Sequence, residues 1–239
     1  MTFDMESMLA EINAAFIPQP VAVTDEMVVD LARKMARQGY EFTEETLGLV
    51  RAYLSGKGLM LKGDVGVGKS FFFYTLGIPA LSMAVAQGKT LAQITKALDD
   101  HQDDEILVDD IGTEGGDYKD YGTSVKLLDY ILEKRADSPL PTHFTLNLTP
   151  EELLARYGER TVDRLTGFAE YHEVHGKSRR DPMNARRKEA WFADFFAGNL
   201  WYACAQCCSF YDCDERKCVK RKEHEPRTNG NGEPICPYF

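Results

Sequence analysis

The chain has 239 residues, of which 44% are hydrophobic and 28% charged, and its net charge is −10. This length allows one well-buried domain with an appendage, and the composition is that of a globular protein. The acidic balance argues against a protein that coats nucleic acid, although a local basic patch remains compatible with it. No apolar run reaches about 18 residues. The N-terminal segment carries acids where an export signal carries Lys or Arg, so we expect a cytoplasmic protein without a membrane span.

The first predicted element is an amphipathic helix over about residues 1–17. Its apolar side chains recur at helical spacing, and they are Met5, Met8, Leu9, Ile12 and Phe16. Pro18 and Pro20 end the helix and form a short stiff linker. The apolar face either packs on the protein's own domain or docks into a groove on a partner protein, and the sequence leaves both open.

Two further helices are predicted within residues 18–57. Thr24 is suited to cap a helix over roughly 25–38, and Thr43 is suited to cap one over about 44–54. Both lead into a first core strand at about 58–62.

The stretch with the clearest chemistry begins at Leu59 and reads LMLKGDVGVGKS. Gly63, four further residues and then Gly68-Lys69-Ser70 form the pattern of a phosphate-binding loop. The glycines let backbone N–H groups turn toward phosphates, Lys69 can reach the β- and γ-phosphates, and the Ser70 hydroxyl can ligate Mg²⁺. Apolar runs on both sides predict strand, loop and helix, and the helix N-terminus adds donors. The predicted nucleotide contacts are Gly63, Asp64, Val65, Gly66, Val67, Gly68, Lys69, Ser70 and Phe71.

A second motif, which contains two acids, follows the phosphate-binding loop. Residues 77–100 are ambiguous, because 81–86 fit either a short strand or a helix end, whereas 90–98 have helical spacing. Residues 105–110 then read as a buried parallel strand that ends in two acids. At the carboxyl edge of such a sheet, Asp109 can hold Mg²⁺ and Asp110 can polarise the attacking water.

The remaining core pattern alternates helices and strands. A polar loop over 112–122 precedes a predicted helix over 124–135, and 143–146 read as a strand that ends at Asn147. Asn147 either orients water or the γ-phosphate, or caps the next helix, although Thr149 is the better cap. Predicted helices over 150–157 and 158–165 and a strand over 168–175 complete a parallel sheet with both faces covered.

These segments resemble the bacterial replicative helicase loaders and transposition helper ATPases, the DnaC and IstB group of AAA+ proteins. The resemblance covers about residues 58–180 through GDVGVGKS, ILVDDIGTE, FTLNLTPEELLARYGERTVDRL and, more loosely, HGKSRR. It implies an α/β fold: an AAA+ P-loop NTPase core at 58–190 with a parallel sheet covered by helices. It also implies a homo-oligomer that binds ATP and Mg²⁺ at sites between subunits.

Residue roles follow from the resemblance by motif position. Lys69 and Ser70 match the Walker A pair, Asp109 the acid on the Mg²⁺ side, Asp110 the water-polarising acid and Asn147 sensor 1. The arginine finger falls at Arg164; Arg160 competes for this role, a structural salt bridge is the alternative for either, and Arg180 is a weaker candidate for sensor 2.

Two departures from the general AAA+ pattern matter, although an Asp-Asp pair is common in this particular group. Most AAA+ enzymes have Asp-Glu where this chain has Asp109-Asp110, and the shorter side chain implies slow hydrolysis. The segment between the phosphate loop and the acidic strand is short, which puts the usual second strand in doubt.

The resemblance implies an ATP-dependent helicase loader in DNA replication that assembles with a replicative helicase and single-stranded DNA. The helix at 1–17 suits the helicase contact that loaders make through an N-terminal extension. A basic segment either tracks a nucleic-acid backbone or is a solvated helix face, and it contains Lys177, Arg179, Arg180, Arg186, Arg187 and Lys188. The rival functions are a transposition helper that remodels duplex DNA and a nucleotide-gated adaptor with negligible hydrolysis.

Residues 191–239 form a predicted cysteine-rich tail, in which all six cysteines fall between Cys204 and Cys236. A segment with this much Gly, Pro and charge needs a staple to fold. The favoured ligand set is Cys204, Cys207, Cys218 and Cys236, for zinc or for a [4Fe–4S] cluster. Cys208 and Cys213 can replace members of the set, and a tail without metal remains the alternative.

Overall fold

A computed structural model describes residues 22–116, 118–120, 123–178, 189, 191–193, 195–196, 211–212 and 217–218. The helices are α1 Asp25–Arg37, α2 Glu44–Leu54, α3 Lys69–Leu76, α4 Met83–Ala86, α5 Leu91–Asp100, α6 Leu127–Arg135, α7 Pro150–Tyr157 and α8 Glu159–Phe168. The strands are β1 Gly58–Gly63, β2 Ala80–Ser82, β3 Ile106–Ile111, β4 Tyr118–Asp120, β5 Thr123–Val125, β6 Thr142–Leu146, β7 Ala169–Val174, β8 Tyr211–Asp212 and β9 Lys217–Cys218.

The core is a five-stranded sheet with the order β2-β3-β6-β1-β7, and all of its pairings are parallel. Successive side chains of a strand point to opposite faces. Leu59 and Leu61 accordingly belong to the apolar cluster that includes Phe72 of α3, whereas Met60 belongs to the cluster that includes Leu128 of α6. Both faces of the sheet are therefore covered by helices, as the sequence predicted.

Helix starts agree with the sequence pattern because their caps are local. Thr24 and Thr43 accept hydrogen bonds from backbone N–H groups in the first turns of α1 and α2. Thr149 does the same for α7, which has Pro150 in its first turn. Thr90 caps α5, so the ambiguous segment contains a helix whose start was readable.

Two segments differ from the prediction. The second core strand, which the short connection put in doubt, is present as β2, and it pairs with β3 through Ala80–Ser82. The predicted helix over 124–135 begins only at Leu127. Residues 123–125 pair instead with β4 in an antiparallel hairpin, since a cross-strand partner is available in the polar loop.

The aromatic segment that begins at Trp191 packs against the core. Trp191 and Phe195 are 2% and 1% exposed, and the Trp191 indole N–H donates to the Ile78 carbonyl oxygen over 2.9 Å. Burial of two large aromatic side chains ties this segment to the sheet domain. Among the described residues, no helix is long and apolar enough to cross a membrane.

Candidate nucleotide-binding site

The phosphate-binding loop connects β1 to α3 at the carboxyl edge of the sheet. Gly66 and Gly68 have φ values of 91° and 104°, a region that favours glycine. Gly63 is required for a different reason, because a Cβ atom there would lie 2.2 Å from the Val174 carbonyl oxygen of the neighbouring strand. The loop therefore takes the tight conformation in which backbone N–H groups can face an anion.

Lys69 opens α3 and is buried, with 5% of its surface exposed. Its Nζ donates to the carbonyl oxygens of Gly63 and Asp64, over 2.6 and 2.9 Å, and to Asn147 Oδ1 over 2.7 Å. The acceptors at these three contacts are neutral oxygens, so none of the three contacts is an ion pair. Phosphate oxygens, which are charged acceptors, make stronger hydrogen bonds with an ammonium than neutral acceptors do.

Ser70 and Asp109 meet beneath the loop. The Ser70 hydroxyl donates to Asp109 Oδ1 over 2.6 Å, and the Asp109 side chain is completely buried. A hydroxyl and a carboxylate are hard oxygen ligands of the kind that Mg²⁺ prefers. The donor set at this point therefore fits the Mg²⁺ that the loop pattern implies.

The acidic pair lies on a β-bulge. Val108 pairs with Phe144 and Ile111 with the next-but-one residue of β6, so that Asp109 and Asp110 both face the single residue Thr145. Asp110 has a φ of 58°, which is unusual for a residue other than glycine. Asp109 is completely buried and Asp110 is half-buried, so the two adjacent acids have different environments.

Asn147 directly follows β6 and is exposed. Because β6 lies between β1 and β3, the end of this strand is next to both the loop and the acids. The bond from Lys69 confirms that the sheet order brings Asn147 to the loop. The structure thus gathers Lys69, Ser70, Asp109 and Asn147 through direct hydrogen bonds.

The other predicted loop contacts have mixed environments. Val65 is 49% exposed, whereas Val67 is 2% exposed and packs in the core, so only its backbone is available to a ligand. Phe71 stacks on Tyr40 at 6.0 Å and on Tyr74 at 5.6 Å between ring centroids. The position of Tyr40 beside the loop was not predicted, because the loop residues that it lies against, Gly68 and Phe71, are 28 or more positions away in the chain.

Arg160 and Arg164 both lie on α8. Arg160 is exposed and Arg164 is half-buried. Neither side chain makes a hydrogen bond or ion pair with another described residue. The structural salt bridge that was the alternative role for these arginines is therefore absent from the described part of the chain.

A buried cluster around Glu114 was not found from the sequence. Glu114 follows the acidic strand, accepts a hydrogen bond from the Gly112 N–H over 2.9 Å, and accepts another from the Tyr157 hydroxyl. Burial and this hydrogen bond to the carboxylate raise the pKa of Tyr157. Arg156 donates to the Glu114 carbonyl oxygen. The cluster links the loop after β3 to the end of α7.

Several predicted features lie outside the described residues. They include the helix over 1–17, Arg180, and the cysteines at 204, 207 and 236. Cys218 is described only as part of β9, whose backbone pairs with Tyr211 of β8. Within the described ranges, no group of three or more His, Cys, Asp or Glu residues could hold a metal ion. The metal prediction for the tail therefore stays a prediction.

The parallel sheet flanked by helices, together with the glycine loop between β1 and α3, defines a P-loop NTPase fold. Solved structures similar to this chain include the crystal structure of the DnaI, at 20% identity over 67% of this chain and 87% of that chain, with a TM-score of 0.39. The crystal structure of the DnaC helicase loader matches at 19% identity over 67% of this chain and 94% of that chain, with a TM-score of 0.40. No protein-family profile and no curated protein matches this chain.

Proposed function

We propose that this chain is an AAA+ ATPase that loads a replicative DNA helicase. Residues 58–190 form the ATPase core, residues 18–57 add helices to it, residues 1–17 contact the helicase, and residues 191–239 form a zinc-binding tail. The observation that carries the nucleotide part of the proposal is the direct hydrogen bonding of Lys69 to Asn147 and of Ser70 to Asp109. These bonds join the loop to the residue after β6 and to the acidic strand β3.

Each residue of the site has a role that its geometry permits. Lys69 exchanges its carbonyl and amide partners for the β- and γ-phosphates. Ser70 and Asp109 hold Mg²⁺, which when bound neutralises phosphate charge. Asp110, which is half-buried beside the buried Asp109, orients the attacking water. Asn147 positions water or the γ-phosphate beside Lys69.

Arg164 completes the site of a neighbouring subunit. An arginine that approaches the transferred phosphoryl group from another chain neutralises the negative charge of the transition state. The arginine has to be available on the surface before assembly. The half-buried Arg164 and the exposed Arg160, without ion-pair partners in the described part, meet this requirement. Hydrolysis then depends on assembly as a homo-oligomer.

The loader part of the proposal rests on the sequence. The run NLTPEELLARYGERTVDRL is more specific than the nucleotide motifs, and it begins directly after β6 and includes α7 and most of α8. Its second half supplies both candidate finger arginines. Asp110 at the water-polarising position is shorter than glutamate, so we expect slow hydrolysis that the helicase and single-stranded DNA stimulate.

The nucleotide site is tested first with a fluorescent ATP analogue titrated in the presence and absence of Mg²⁺. Lys69→Ala should abolish measurable binding, because it removes the charge that faces the phosphates. Lys96→Ala is the matched control, since Lys96 lies on the surface of α5 with 75% of its side chain exposed. Equal binding by wild type and Lys69→Ala would contradict a P-loop site.

The loader role is tested by light scattering after size-exclusion chromatography of the full chain mixed with a replicative helicase from the same source. We expect a complex that forms in ATP and is lost when residues 1–17 are deleted. The deletion should leave binding of the ATP analogue unchanged. Absence of a complex under every nucleotide condition would favour a transposition helper, if the protein binds duplex DNA, or an adaptor, if Lys69→Ala and wild type hydrolyse ATP equally slowly.

A further inference from the structure

Thr145 is the residue of β6 that faces both acids of the bulge. Its side chain is completely buried, and its backbone pairs with Leu61 of β1 on the other side. The hydroxyl donates to Asp109 Oδ1 over 2.6 Å and accepts from the Asp110 N–H over 2.8 Å. A single hydroxyl thus contacts the side chain of one acid and the backbone of the other.

These two bonds require a hydroxyl. A threonine or serine hydroxyl has one donor and two acceptor positions, so it can donate to a carboxylate and accept from an amide at the same time. Valine has the same shape but can do neither. In the extended conformation of a regular ladder, the Asp110 N–H would have a carbonyl partner on β6, and the bulge removes that partner.

The backbone at Asp110 explains why the bond to its amide matters. A φ of 58° is costly for a residue with a side chain, and the cost is tolerated only where surrounding contacts hold it. Thr145 supplies one such contact at the amide, and Thr113 supplies another, because its hydroxyl donates to the Asp110 carbonyl oxygen over 2.7 Å. Thr113 is exposed to solvent, whereas Thr145 is not.

The same hydroxyl fixes Asp109. Oδ1 of Asp109 accepts from Ser70 on the loop side and from Thr145 on the sheet side, each over 2.6 Å. When Ser70 turns its oxygen toward a cation, the bond from Thr145 still holds the carboxylate in its orientation. A ligand for Mg²⁺ needs this rigidity, since Mg²⁺ demands nearly ideal octahedral geometry.

We propose that Thr145 is the positioning residue of the acidic pair: its hydroxyl holds the β-bulge so that Asp109 faces the cation and Asp110 faces the attacking water. This inference rests on the proposed nucleotide-binding function. Thr145 acts through the two acids and touches neither nucleotide nor water.

The test compares Thr145→Val, which removes the hydroxyl at constant shape, with Thr145→Ser, which keeps it. We expect Thr145→Val to raise the Mg²⁺ concentration for half-maximal binding of the fluorescent ATP analogue by about tenfold or more. Binding of the analogue without Mg²⁺ should change little, and Thr145→Ser should stay close to wild type. Thr161→Val is the matched control, because it removes a buried threonine hydroxyl that donates to Asp129 over 2.6 Å, away from the loop.

A second readout needs no nucleotide. Hydrogen exchange of the Asp110 amide, followed by NMR in the apo protein, should be faster in Thr145→Val than in wild type or Thr145→Ser. If Thr145→Val does not fold, Thr145→Ala, which also removes the hydroxyl, replaces it in both measurements.

The outcomes separate the two claims. Unchanged Mg²⁺ dependence together with unchanged exchange in Thr145→Val overturns the positioning role, as does equal impairment of the Val and Ser variants. A wild-type protein that binds no nucleotide overturns the proposed function, and the exchange rate of the Asp110 amide then decides alone whether Thr145 holds the bulge.

Discussion

Lys69 donates a hydrogen bond to Asn147 Oδ1 over 2.7 Å, and this contact joins the first residue of α3 to the residue that follows β6. The two residues are 78 positions apart in the chain. The contact exists because β6 lies directly beside β1 in the sheet. If the site binds ATP as proposed, the amide oxygen is one of the groups that the phosphates displace.

Asn147→Asp should therefore weaken nucleotide binding more than Asn147→Ala does. A carboxylate makes a charge-assisted bond with Lys69 and also repels phosphate, so we expect a loss of affinity of about tenfold or more. Asn147→Ala removes a neutral acceptor and should affect hydrolysis more than binding. Titration of the fluorescent ATP analogue with both variants measures this difference. Equal affinities would mean that Lys69 does not meet residue 147 in solution.

Arg164 and Arg160 can be distinguished by mixing variants. If Arg164 acts on the ATP of a neighbouring subunit, Arg164→Ala should lower hydrolysis by about a hundredfold or more in the assembled protein while each chain still binds ATP. Mixing Arg164→Ala with Lys69→Ala should restore part of the activity, because some interfaces then combine an intact loop with an intact arginine. Arg160→Ala is the matched variant on the same helix. If hydrolysis recovers only when Arg160→Ala, and not Arg164→Ala, is mixed with Lys69→Ala, the arginine finger is Arg160.

Arg135 is a structural residue that should respond strongly to substitution. It is 1% exposed, and burial lowers its pKa to about 10. Its guanidinium donates to the Thr142 hydroxyl and to backbone carbonyl oxygens of His101, Gln102, Asp104 and Leu140. Lysine has fewer donors and no planar fork, so Arg135→Lys should lower the free energy of unfolding by about 2–4 kcal/mol.

Urea denaturation measures this loss. Arg33→Lys is the control, because Arg33 has 71% of its side chain exposed and pairs with Asp30 on the same helix. We expect a change below about 0.5 kcal/mol there. Similar values for the two substitutions would show that the buried donors of Arg135 contribute nothing beyond a surface arginine.

The sequence was sufficient for features whose signals are local. Gly63 to Ser70, the acids Asp109 and Asp110, and the cap Thr149 were all readable, because spacing and residue type define them. The bulge that makes Thr145 face both acids depends on the register between β3 and β6, which short-range patterns do not encode. From the sequence, Arg135 is a basic residue in the last turn of a helix, where its charge interacts favourably with the helix dipole. Its burial depends on packing by the segment that leads into β6, which the sequence pattern does not show.

Glu105 should make the free energy of unfolding fall when the protein is acidified below the usual pKa of a glutamate. Burial by itself would raise the pKa of Glu105, but His143, whose Nε2 lies 3.8 Å away, and the hydrogen bond from the Tyr53 hydroxyl over 2.8 Å lower this pKa overall below the usual value of a glutamate. A carboxylate with a depressed pKa in the folded state stabilises the fold above its unfolded pKa. This stabilisation is lost as the pH falls through the folded value.

Glu105→Gln should therefore destabilise the protein at pH 7, and the difference from wild type should shrink as the pH falls below about 4.5. Urea midpoints measured from neutral pH downward test this. Glu133→Gln, at an exposed position on α6, is the control and should show a much smaller difference at every pH. A gap between wild type and Glu105→Gln that widens on acidification would contradict the depressed pKa.

The tail is predicted to bind one zinc ion or iron–sulfur cluster through cysteine thiolates. Elemental analysis of the purified full chain can test this. We expect about one zinc per chain, or iron with visible absorption if the site holds a [4Fe–4S] cluster. Substitution by Ser at Cys204, Cys207, Cys218 or Cys236 should remove the metal, because each thiolate occupies one position of a closed tetrahedral site. Ser at Cys208 or Cys213 provides the matched control and should leave the metal in place.

The two control cysteines also give this prediction its strongest test. A tail that exchanges ligands would lose metal only when two cysteines are replaced together, and single substitutions would then all retain it. A tail without a structural metal would purify with neither zinc nor iron, and chelation would not change its protease sensitivity. If the metal is the staple that lets this segment fold, chelation should instead release residues 197–239 to proteolysis while nucleotide binding by the core persists.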